Sequence, residues 1–99
     1  MSDISNQNKN HAAEAGFGQN FEASLSTLVL SIASSAAMAL GLAPHPVSGK
    51  TEKDLKLARF NIDLLVMLDA KTKGNRSADE DRFLSTILQD LKMKFIQAN

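Results

Sequence analysis

The side chains able to do chemistry are few and scattered. His11 and His45 are the two histidines, and there is no cysteine, so neither a thiolate nucleophile nor a Cys-based zinc site can form. His11 lies in a polar stretch with no ligand partner at metal-binding spacing, which makes it a solvated histidine. His45 stands between Pro44 and Pro46 and reads as an exposed loop histidine.

Ser48-Gly49-Lys50-Thr51 copies the end of a phosphate-binding loop. The full motif needs a glycine where this chain has Pro44, and a strand before it where this chain has a helical pattern. Lys71-Thr72-Lys73-Gly74-Asn75 is a second basic run, but it follows a helical pattern. A helix C-terminus offers carbonyls, not the amides that hold phosphate. Asp79, Glu80 and Asp81 open a third helical pattern, where compensation of the helix dipole accounts for them without catalysis. Asp63 has Arg59 one turn back, an ordinary surface pair; a hydrogen bond to a serine of the first helix is the sharper alternative. No triad, metal set or acid–base pair emerges, so no enzyme and no cofactor are expected.

The elements that carry these residues are clearer. The 99-residue chain allows one small domain. Its 43% hydrophobic content suffices for a core. Eleven basic and eleven acidic residues cancel, which leaves no footprint for nucleic acid. Residues 1–20 are polar and small apart from Ile4 and Phe17, the composition of a disordered tail.

The stretch from Phe21 to Leu42 organises the rest. Between Glu22 and Lys50 there is no Asp, Glu, Lys or Arg. Phe21, Leu25, Leu28, Val29, Ile32, Ala36 and Leu40 recur at helical steps; Ser24, Thr27, Ser31, Ser34 and Ser35 make a small face that another helix can approach closely. Gly41 is the expected stop. A helix over 22–41 would be roughly 30 Å long, which also matches a bilayer core. The hydroxyls, the absence of Trp and Tyr, and a net-negative flank (Lys9 against Asp3, Glu14 and Glu22) favour burial by protein over a membrane span.

A second helix is expected over 52–73, opened by a capping box at Thr51-Glu52-Lys53-Asp54 and closed at Gly74. It carries two apolar stripes, Leu55–Ala58–Ile62–Leu65 ending at Leu68 or Asp69, and Leu57–Phe60–Leu64–Met67 with Leu68, and so needs two neighbours. The third, over 78–97, opens on the capping box Ser77–Glu80 and presents Leu84, Ile87, Leu88, Leu91 and Phe95. The short connection before it makes helices two and three antiparallel neighbours.

Several of these residues resemble a known pattern. Leu30-Ser31-Ile32-Ala33-Ser34-Ser35-Ala36, Leu40-Gly41-Leu42, Pro44, Pro46 and Gly49 carry it in the first half of the chain. Leu55, Ala58, Ile62-Asp63-Leu64-Leu65, Leu68, the KTKGN run, Leu88 and Asp90-Leu91 carry it in the second. The pattern is similar to a small bacterial family, domain of unknown function eighteen-forty-four, over about Phe21 to Ile96. The resemblance implies a bacterial source and a soluble helical domain, and supplies no reaction. Arg76 departs from it, since an apolar residue is usual after Gly-Asn, which implies a looser start to the third helix.

The expectation is therefore an all-α, three-helix antiparallel bundle over 21–98. It is expected to be cytoplasmic and non-enzymatic and to self-associate as a homodimer, with a further protein partner left open. Leu28, Ser31, Ile32, Ser35, Leu57, Phe60, Leu64 and Met67 are the expected interface. The reason is excess apolar side chain in a chain too short to hide it in one core. The alternative anchors helix 22–42 in a membrane and leaves a cytosolic hairpin. A weaker one binds a ligand or nucleic acid around His45 to Lys50 and at Lys71 and Lys73.

Overall fold

The structure, a computed structural model, describes residues 22–99. The expected tail, with His11 and Phe17, and the face residue Phe21 lie outside the described residues. Three helices form: α1 (Leu25–Ala39), α2 (Leu55–Thr72) and α3 (Ala78–Ala98). All three pack on one another, so the expected three-helix bundle is the fold.

α1 is shorter than the periodicity predicts. Ser24, counted with the small face, instead takes extended backbone and accepts a hydrogen bond from the Thr27 amide at 3.1 Å. A cap of that kind sets the first helical residue at Leu25. At the other end, the Gly41 amide donates to the Met38 carbonyl and the Leu42 amide to that of Ala37. That double bond pattern needs a left-handed residue after the cap, and Gly41 has φ +78°. Fifteen residues at ~1.5 Å each span about 22 Å, short of a bilayer core. No helix among the described residues is long and apolar enough to cross a membrane.

The capping box expected at Thr51 does not form. Residues 51–54 are drawn back along the end of α1: Lys53 makes an isolated antiparallel bridge with Leu40, and the Asp54 amide donates to the Ala39 carbonyl at 2.7 Å. Extended backbone there cannot be a first helical turn. The cap passes to Asp54, whose carboxylate accepts from the Leu57 amide at 3.1 Å, and α2 starts at Leu55. The same bond sets α2 running back beside α1.

Gly74, at φ +85°, turns the chain after α2, and Ser77 with Glu80 closes the capping box of α3 as expected. The core is Val29, Ala33, Ala36, Ala39 and Leu40 from α1 and its cap; Ala58, Ile62 and Leu65 from α2; Leu84, Leu88 and Leu91 from α3. Leu25, Ile32, Leu55, Leu68, Phe83, Ile87 and Phe95 pack around it. Four alanines let the helices approach closely, and Leu65 and Leu84 fill the space between them.

The start of α3 is not loose. Arg76 folds its side chain inward until 7% remains exposed. Its guanidinium donates to the Asp69 carbonyl at 2.9 Å, to the Asp69 carboxylate at 2.7 Å, and through Nε to Asp81 at 3.0 Å. One side chain thus ties the last turn of α2 to the first turn of α3, with its alkyl stem where an apolar residue would lie.

Candidate functional site

Two surfaces stand out once the core is accounted for. The first runs along α2. Residues at steps of three and four share one helix face, so Leu57, Phe60, Leu64 and Met67 form a line. Leu57, Phe60 and Met67 are 47, 57 and 43% exposed, whereas Leu65 on the other stripe is fully buried. The two stripes expected from sequence are therefore an inner and an outer one.

α1 borders the outer stripe. Ser35 and Leu57 line one groove together, and Leu28 lies two turns from Ser35 as Leu64 lies two turns from Leu57. Leu28, two turns before Ser35 on α1, is 46% exposed. Ser31 and Ser35 are half-buried, and Ile32 belongs with the core it packs against. The structure leaves Leu28, Leu57, Phe60 and Met67 exposed, puts Ser35 and Leu57 on one groove, and packs Ile32 against the core.

The second surface is the groove itself, about 560 Å³, between the 42–54 loop and the end of α1. His45, Val47, Ser48, Lys50, Glu52 and Asp54 line it with Ser35, Met38, Ala39 and Leu57. The loop holds itself closed: the His45 amide donates to the Lys50 carbonyl and the Gly49 amide to that of His45. The His45 ring Nδ1 accepts from the Val47 amide at 3.1 Å. The imidazole is exposed and engaged with its own loop, the plain reading of this histidine. Ser48 accepts from the Lys50 amide, so the sequence that imitates a phosphate loop is a serine turn. Among the described residues no group of His, Asp and Glu could hold a metal ion.

The acidic candidates have structural partners. Asp63 pairs with Arg59 at 3.7 Å, both side chains about two-thirds exposed, and not with a serine of α1. Lys71 and Lys73 are exposed at the end of α2. Asp79 pairs with Arg82 at 3.5 Å, Glu80 closes the capping box, and Asp81 holds Arg76. Hydrogen bonds to Asp81 and then to Asp69 push the Arg76 pKa above its ordinary value.

Sequence reasoning missed Asn61. It sits on the inner stripe, buried, with its amide donating to the Leu57 carbonyl one turn back at 3.0 Å. That bond satisfies a polar group among Ala58, Ile62 and Leu65. Its place one residue before Ile62 on the core side was the available signal.

The fold and its faces define a small all-α domain with a closed core and an uncovered apolar flank. The chain belongs to the family described as "Domain of unknown function (DUF1844)", whose model matches residues 22–97. No curated protein and no solved structure matches it.

Proposed function

We propose that this chain is a non-enzymatic interaction module of the cytoplasm that self-associates as a homodimer. The observation that carries the reading is the outer stripe of α2, three of whose four large apolar side chains are more than two-fifths exposed, as is Leu28 on α1. An isolated exposed leucine is ordinary; an aligned set on one face of a helix marks a surface that another protein covers. The serines of α1 at its border allow a second backbone to come close. The lack of cysteine suits a reducing compartment.

Light scattering behind a sizing column tests this on the full chain at tens of micromolar. The expected mass is twice 10.7 kDa. A monomer at that concentration removes the self-association. Replacing Phe60 with Asp is expected to return the dimer to monomer without loss of helical signal, since the side chain is more than half exposed.

A further inference from the structure

The outer stripe has a symmetry of its own. About Ile62 it reads the same in both directions: Leu57 and Met67 lie five residues away on either side, Phe60 and Leu64 two. We propose that the second copy docks antiparallel along α2, with Leu57 against Met67 of the second copy and Phe60 against Leu64 of the second copy. This rests on the self-association proposed above and adds its orientation and register.

A stripe of this spacing could also pair in parallel, like with like. The charges beside it decide between the two. Arg59 and Asp63 flank the stripe, 68 and 62% exposed, with their mutual pair stretched to 3.7 Å. Arg59 and Asp63 lie on one flank of the stripe, and a parallel two-fold carries that flank to the opposite side of the contact, where the two do not meet across it. In the antiparallel pair Arg59 comes level, within about 3 Å along the axis, with Asp63 of the second copy, and the reverse holds across the two-fold. Two ion pairs then bracket the apolar centre, and the opposed helix dipoles attract rather than repel. Lys53 and Lys71, at the ends of the stripe, meet like charges in either orientation, out at the solvent-exposed rim.

A natural sequence without cysteine makes the test clean. Leu57→Cys and Met67→Cys variants are prepared separately, checked for helical content by circular dichroism, mixed and oxidised. The interchain disulfides are then identified by mass. In the antiparallel register the two positions face one another, whereas two cysteines at 57 lie about 15 Å apart along the axis, beyond disulfide reach. The expected product is the 57–67 heterodisulfide. Predominance of 57–57 and 67–67 bridges in a protein that light scattering shows to be dimeric overturns the orientation and leaves self-association standing. A dimer with no bridge overturns α2 as the contact. A monomer overturns both. Phe60→Cys with Leu64→Cys repeats the measurement at the centre of the stripe, so poor folding of one pair does not leave the question open.

Discussion

At the scale of single residues, burial separates side chains that composition treats alike. Leu65 and Leu57 are both leucines on α2, one with no exposed surface and one 47% exposed. Leu65→Ala is expected to destabilise the fold by ~2–5 kcal/mol, because the close-packed helices cannot collapse into the space it leaves. Leu57→Ala is expected to cost the folded monomer less than ~1 kcal/mol and to weaken association instead. Chemical denaturation of the two variants, followed by circular dichroism, separates these outcomes; equal losses would mean that the two stripes are not inner and outer. Asn61 is the polar counterpart. Its amide is bonded to the Leu57 carbonyl, so the burial is satisfied within the helix.

At the scale of elements, the caps decide where helices begin. Two Thr/Ser-x-x-acid runs stood in the sequence, at Thr51 and at Ser77, and one became a capping box. Thr51 lost because the bond from the Asp54 amide to Ala39 and the bridge from Lys53 to Leu40 hold residues 51–54 extended. That is a tertiary constraint, invisible to a four-residue pattern. Ser77→Ala and Asp54→Ala are each expected to lower stability by ~1 kcal/mol, and Thr51→Ala to leave it nearly unchanged. A large loss at Thr51 would contradict the cap assignment.

Arg76 belongs to this scale too. Compared with its family it looked like a flaw at the start of α3, yet it joins two helices through Asp69 and Asp81. Arg76→Ala is expected to lower the thermal midpoint more than Arg82→Ala, whose partner Asp79 is almost fully exposed. Because the pKa of Arg76 is raised, its contribution is fully present below the ordinary arginine value. It is lost only as pH rises through the still higher folded value, so raising pH from neutral to mildly alkaline should not loosen the joint. The apolar stripes, the glycine turns at Gly41 and Gly74 and the order of the helices were legible because each is written in local spacing. The start of α2 at Leu55 and the inward turn of Arg76 were not, because each depends on what the rest of the chain brings alongside.

At the scale of the whole molecule, the long uncharged stretch near the front proves to be a fifteen-residue helix whose inner face is covered by α2 and α3. With no described helix able to cross a membrane, the apolar surface that needs an explanation moves from α1 to the outer side of α2. The Leu57 stripe was legible as the outward one, and the Leu65 stripe lies in the core shared with α1 and α3. What covers the outer stripe is the central claim here, and sedimentation equilibrium across a wide concentration range tests it most directly, with the unaltered chain and Phe60→Asp run side by side. The account predicts a mass that rises from 10.7 kDa to twice that value for the natural chain and stays at the lower value for the variant. A natural chain that holds 10.7 kDa at every concentration, or a variant that dimerises as well as its parent, would contradict it.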